Sequence, residues 1–258
     1  IQGDLFKNDG DQIVFPYWLD RPPFLQADYG QYSTEGGNLK GSWQHTLSGG
    51  DRLSVKAYYD NNTRDESYYL QEFHTVDLDV QHETRFGEYH NITLGGGYRR
   101  VEGQFGNTFQ VSIPGQTNEL YSAFLQDEIN LIANALWLTL GTKIERNDFT
   151  GTEWQPSGRL LWKPEAAHSL WAAIARAVRT PSMMEDSGSL TIASFPGPTG
   201  LQTLKLRGNS AFDVEKLLAY EAGYRWQARR NLSFDLAAYY NGVVDVLSAV
   251  AGGAAGAV

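Results

Sequence analysis

The chain has 258 residues, a net charge of −9 and no cysteine. The acidity argues against a nucleic-acid partner, which wants a basic stripe, and without thiols there is neither a disulfide framework nor thiol chemistry. Apolar residues make up 41%. No stretch approaches the ~20 consecutive apolar residues of a membrane helix, but a membrane β-barrel stays open because only alternate residues meet lipid.

Alternation is the dominant pattern. In residues 53–59, 76–80, 136–144 and 232–240 every second residue is apolar, and most charges fall on the other parity. Five hairpins follow in chain order. They pair residues 38–47 with 52–61, 73–86 with 89–102, 119–130 with 135–147, 154–162 with 169–177, and 217–227 with 232–246. Gly, Asn, Asp and Pro at the breaks are turn residues. The connections between hairpins, residues 62–72, 103–118, 148–153 and 178–216, read as longer loops. Short turns on one end and long loops on the other is the layout of an outer-membrane barrel. Strand length agrees, since soluble strands average about 5–6 residues and a tilted membrane strand needs about 9–11. The fold expected is therefore all-β: an antiparallel up-and-down transmembrane β-barrel, of which ten or eleven strands are present.

Sorting by face is the third argument. Leu218, Tyr220, Ala222, Tyr224 and Trp226 share one parity, while Glu221 and Arg225 share the other and are candidates for a charge ladder in the lumen. A charge facing mid-membrane lipid costs about 2–4 kcal/mol, which is the selection such sorting reflects. Asp127 breaks the rule by sharing the parity of Leu125 and Ile129; a bulge or an interfacial position would account for it. Aromatics gather near strand ends, with Phe86, Trp162 and Trp226 beside short turns and Tyr58, Tyr59, Tyr98, Tyr239 and Tyr240 toward the long loops, as two interfacial girdles would.

Enzyme chemistry finds no footing. His45, His74, His82, His90 and His168 lack the spacing of a zinc site. No nucleophile elbow, P-loop or dinucleotide fingerprint appears. Gly95-Gly96-Gly97 lies within a strand and reads as relief of crowding at a barrel wall. Asp77 and Asp79 read as a solvated lumen face. No catalytic residue, metal or cofactor is expected.

Ala175-Arg176-Ala177-Val178-Arg179-Thr180-Pro181-Ser182 closes one strand and enters the longest loop. Gly208-Asn209-Ser210, Glu215 and Tyr220-Glu221-Ala222-Gly223-Tyr224-Arg225 follow in order; Gln2 to Leu5, Ala123 to Glu128 and Gln155 to Leu160 precede them. This ordered set resembles the TonB-dependent receptors of the Gram-negative outer membrane, with Ala175 where that family often has serine and Ser210 where it has proline. The resemblance implies a receptor that binds a scarce ligand at its outer face, of the iron–siderophore, haem or cobalamin class. It implies import with energy from TonB acting on a plug domain. Its partners would be outer-membrane lipid, TonB through that plug, and a small molecule such as a metal chelate. Family barrels have about 22 strands around a plug. Only ten or eleven strands are read here, with no plug and no TonB box, so residues 1–247 are expected to be a middle portion of a receptor barrel. Residues 248–258 form a low-complexity tail. The loops at 103–118 and 178–216 are the expected ligand contacts, with Phe105, Phe109, Arg176, Arg179, Phe195 and Arg207 as candidates. The arginines suit either steering of an anionic ligand or pairing with loop carboxylates. A passive porin and a soluble secreted glycan-binding β-domain are the alternative readings.

Overall fold

The computed structural model describes residues 1–14, 19–24 and 26–245; the tail expected at 248–258 lies outside them. One antiparallel sheet of eleven strands follows the chain order. Its strands are β1 (Gln2–Val14), β2 (Asp28–Thr46), β3 (Arg52–Glu66), β4 (Tyr69–Phe86), β5 (His90–Gly106), β7 (Gln116–Ile132), β8 (Leu136–Asn147), β9 (Gly151–Glu165), β10 (His168–Arg179), β13 (Glu215–Arg229) and β14 (Leu232–Val244). The loops hold β6 (Val111–Ser112), a short helix α1 (Met183–Ser187), β11 (Ser189–Gly197) and β12 (Gly200–Arg207), with β6, β11 and β12 paired in a second, small sheet. The wall is a transmembrane meander, and it is open, because β1 and β14 are its free edges. Hydrocarbon does not tolerate unpaired backbone groups, so a spanning barrel needs further strands to close it.

All five expected hairpins are present, and β1 is the eleventh strand. Two expected loops are not loops. Residues 62–72 continue β3 and β4 up to a tight turn at 67–68, with Glu66 opposite Tyr69. Residues 148–153 reduce to a turn between Asn147 and Gly151. Both pairs continue the ladder of the wall, and the Asn147 side chain holds the second turn, its carboxamide oxygen accepting from the Phe149 and Thr150 N–H groups at 2.9 Å each.

Directly opposed residues of an antiparallel pair point to one face, so the register traces each face around the wall. One row runs Trp43, Val55, Val80, Gly96, Ala123, Ile144 and Trp154. It begins beside the short turn after β2 and ends beside the long-end turn before β9. That climb is the stagger of tilted barrel strands. The next row on the other face runs Gln44, Ser54, Gln81, Gly95, Phe124, Lys143 and Gln155. The outward rows are mostly apolar and the inward rows mostly polar; the inward exceptions include Phe124 and the row Trp137, Leu161 and Trp171, where Lys163 and Arg159 lie over the Trp137 and Trp171 rings. Gly95 lies under the Phe124 ring, where a Cβ would come within 2.6 Å of it. Tyr59, Tyr98, Tyr121 and Trp154 mark the outward long-loop end. Tyr58 and Tyr239 face inward, in the rows of Asp77 and Glu221.

Asp127 sits in an unbroken register; the irregularity in β7 falls between Asn130 and Ile132. Its outward carboxylate has a partner instead, His90 Nδ1 at 2.6 Å, close to the short turn that joins β4 and β5.

The wall has no dry core, having lipid on one side and the lumen on the other. Among the described residues the buried apolar ones are Val14, Leu19, Val111, Ile113 and Val214. All five lie at the long-loop end, so the packed interior of this chain is at its mouth.

Candidate functional site at the barrel mouth

The two longest loops are built into one unit. Leu190 pairs with Val111 and Ser189 with Ser112, joining β11 to β6, and β12 flanks β11 on its other side. Thr191, almost fully buried, donates its hydroxyl to the Phe109 carbonyl at 2.8 Å and its N–H to the Gln110 carbonyl at 2.8 Å. The Ser194 hydroxyl donates to the Leu19 carbonyl, tying in the first loop as well.

The base of the longest loop is a latch. The Ser182 hydroxyl accepts from the Glu185 N–H at 3.3 Å, and the Glu185 carboxylate accepts from the Ser182 N–H at 2.8 Å. This reciprocal capping box starts α1. Arg179 grips the same Glu185 with both terminal nitrogens, at 2.9 and 2.6 Å, while its Nε donates to Glu215 at 2.9 Å. One guanidinium thus joins the end of β10, α1 and the start of β13. Gly208 closes the far side: its N–H donates to the Gly188 carbonyl at 2.7 Å, and the Asn209 N–H to the Glu185 carbonyl at 2.8 Å. A Cβ at Gly208 would lie 2.7 Å from the Met184 carbonyl oxygen and 2.8 Å from that of Glu185, so only glycine lets the chain run this close to α1.

Under α1 lies a cavity of about 400 Å³ on the inward side of β4, β5 and β7. Its walls are Tyr69, Phe73, Phe105 and Phe149, its roof Met183 and Met184, and Arg99 and Asn118 supply polar edges. Phe105 meets Phe73 edge-on at 5.6 Å and Tyr69 in a near-stack at 6.1 Å. Arg99 Nε donates to Asp77 at 2.6 Å, fixing the guanidinium at the cavity edge. Small-ligand sites are typically 300–1,000 Å³, mostly apolar, with a few placed polar groups; this cavity has that character.

The candidates from sequence fall into separate places. Phe105 lines the cavity and Arg179 anchors its roof. Phe109 lies on the loop unit with Lys205 Nζ at 5.8 Å from its ring centre, and Phe195 and Arg207 are exposed on β11 and β12. Arg176 pairs with the buried Glu153 at 3.3 Å and donates to the Trp154 carbonyl. Arg225 pairs with Asp235 on the inward face, while Glu221 stands opposite Tyr239. Tyr69, Phe73, Phe149, Met183 and Met184 were missed. A signal existed in Met183 and Met184, the only methionines of the chain; Tyr69, Phe73 and Phe105 come onto one face through the register that sets Gln71 opposite Phe105.

At the end of the same loop the Val214 N–H donates to the Asp213 carboxylate at 2.8 Å, and Lys216 Nζ lies 3.2 Å away. That backbone N–H first, and then the ammonium, hold the Asp213 carboxyl below its ordinary value. A depressed folded pKa gives stability that is present above the unfolded value and lost as pH falls through the folded one. The protection factor of the Val214 amide, its exchange measured against the intrinsic rate at the same pH, is therefore expected to be high at neutral pH and to fall as acid protonates Asp213 below the ordinary carboxylate range. A protection factor at Val214 that ignores acid would remove the role given to Asp213.

An apolar band facing lipid, an inward polar face and a loop-built mouth define a transmembrane receptor-type barrel wall. The family model described as "TonB dependent receptor-like, beta-barrel" matches residues 3–257, and the chain belongs to that family. Solved structures share the fold. The siderophore receptor PirA from Pseudomonas aeruginosa superposes with a TM-score of 0.64 at 16% identity, over 92% of this chain and 46% of its own. A point mutant of the ferric enterobactin receptor PfeA from Pseudomonas aeruginosa gives 0.63 at 16%, over 94% and 43%. The FrpB iron transporter from Neisseria meningitidis gives 0.56 at 12%, over 92% and 49%. The chain spans less than half the length of each. Among curated proteins no match is found.

Proposed function

We propose that this chain forms part of the wall and outer mouth of an outer-membrane receptor that captures a scarce chelate and imports it with energy supplied through TonB. The ligand class favoured is an iron–siderophore, with haem and cobalamin as the other members of the set. The observation that carries this reading is the cavity under α1, with its aromatic walls, methionine roof and fixed guanidinium. It suits a flat, partly apolar, anionic ligand, which stacks on Phe105 and Phe73 and meets Arg99 at its edge. Support also comes from family membership and from neighbours whose names are siderophore receptor, ferric enterobactin receptor and iron transporter. The chain would make no chemical change in its cargo.

The test uses the whole receptor. Phe73→Ala and Phe105→Ala each remove one aromatic contact and are expected to weaken binding of a ferric catecholate about tenfold. Titration by tryptophan quenching, with haem and cobalamin in parallel, reads the affinity, and growth on the chelate as sole iron source reads the import. Unchanged affinity in both variants sinks the cavity as the ligand site. Import that survives loss of TonB would favour a passive pore.

A further inference from the structure

The outward face carries a second built feature, at the end opposite the mouth. A groove of about 420 Å³ crosses β9, β10, β13 and β14. Its floor is the hydrogen-bonded row Ala172, Ala222 and Ala238, and its sides rise at Leu160, Trp162 and Leu236. Small side chains in one row between bulky ones leave an apolar channel.

Below the groove, toward the short turns, an aromatic belt follows. His168 stacks on Tyr224 at 5.9 Å and on Trp226 at 6.1 Å, with its Nδ1 at 2.7 Å from the Tyr224 hydroxyl, and Trp226 stacks on Phe234 at 5.6 Å. Beyond the belt come Arg229 and Arg230. The register explains why Arg229 is on this face. Trp226 stands opposite Phe234, but the next pair is Arg229 opposite Leu232. The irregularity adds a residue to β13 and turns Arg229 outward, where a regular ladder would put it inward. Among the described residues no carboxylate forms an ion pair with Arg229 or Arg230, although the chain as a whole carries −9. Glu165 is the one acid on the neighbouring β9–β10 turn, and it stands opposite His168.

From the rim upward the order is unpaired positive charge, amphipathic rings, then an apolar channel. We propose that this is a site for an anionic phospholipid of the leaflet on the short-turn side, with the phosphate on Arg229 and Arg230 and one acyl chain along the alanine row. The inference rests on the membrane orientation of the barrel and is independent of what the mouth binds. Basic residues at a membrane surface favour anionic lipid by about 1 kcal/mol each, which corresponds to roughly a fivefold preference per arginine.

The experiment is native mass spectrometry of the whole receptor, extracted after reconstitution into mixed phosphatidylglycerol and phosphatidylethanolamine. The wild type is expected to retain phosphatidylglycerol in excess of its share. Arg229→Gln and Arg230→Gln should each cut that excess roughly fivefold. Ala222→Leu, which fills the channel without touching charge, should reduce retention of either lipid. Arg85→Gln, an exposed arginine beside another short turn, should change nothing. Equal retention of the two lipids by the wild type, or an undiminished excess in the arginine variants, overturns the headgroup assignment. Undiminished retention in Ala222→Leu overturns the acyl channel. Failure to enter the bilayer at all would instead contradict the barrel reading itself.

Discussion

Val80→Arg is expected to destabilise the whole receptor by about 2–4 kcal/mol, while Gln81→Arg, one residue on, leaves stability nearly unchanged. Val80 lies midway along the outward band of β4, flanked in its row by Val55 and Gly96, so an arginine there meets hydrocarbon and finds no partner. Gln81 lies in the inward row between Ser54 and Gly95, where its side chain already bonds Glu83 at 2.9 Å. An arginine at that position stays among polar groups and gains a carboxylate neighbour. Equilibrium unfolding in lipid vesicles separates the two. Equal cost for both substitutions, or a larger cost at Gln81, would mean that the two faces are assigned the wrong way round. The pair is informative because the residues are adjacent: the introduced arginine and the place along the strand are matched, and the face it meets differs.

The same parity explains what the sequence reveals and what it hides. Where lipid touches one side and water the other, alternation is strong, and the hairpins around residues 76–80, 136–144 and 232–240 are legible from it. Above the lipid there is water on both sides. Asn61, Asn62, Thr63, Arg64 and Asp65 are polar on both parities, so the pattern vanishes although β3 and β4 remain paired to Glu66 and Tyr69. This segment therefore reads as a loop, and the reading hides Tyr69, one wall of the cavity. The loop sheet is hidden for a different reason. β6 has two residues, and its partner β11 lies far away in sequence, so no local period announces either. The motif segments fare better. Arg179, Ser182, Gly208 and Glu215 are legible as an ordered set, and the structure supplies their physical use as a latch, a cap and a close approach, adding Glu185 as the carboxylate at the centre. Phe105 is visible as a loop aromatic. Its neighbours across the strands are visible only once the register is known.

Gly208→Val is expected to leave the barrel folded and to free the longest loop. The Cβ of any side chain at this position would overlap backbone atoms of Met184, Glu185 and Asp186 at 2.7–2.8 Å. No rotamer relieves that contact, so the chain at 208–209 must withdraw from α1, breaking the bonds to the Gly188 and Glu185 carbonyls. Two lost hydrogen bonds are worth about 1 kcal/mol each, and steric displacement of the roof adds to this. Met183 and Met184 then lose their support above Phe73 and Phe105. Hydrogen exchange should accelerate across residues 180–214, while the strands β4, β5 and β7 keep their protection. Chelate affinity should fall by more than tenfold, because ordering the loop again on binding costs free energy that the wild type does not spend. Arg179→Met, which keeps the alkyl stem but removes the grip on Glu185 and Glu215, should reproduce the same pattern more weakly. Faster exchange of the loop with unchanged affinity would separate the latch from the binding site and leave Phe73 and Phe105 to act without their roof. Protected loop amides in Gly208→Val would mean that α1 is held by something other than the close approach at Gly208.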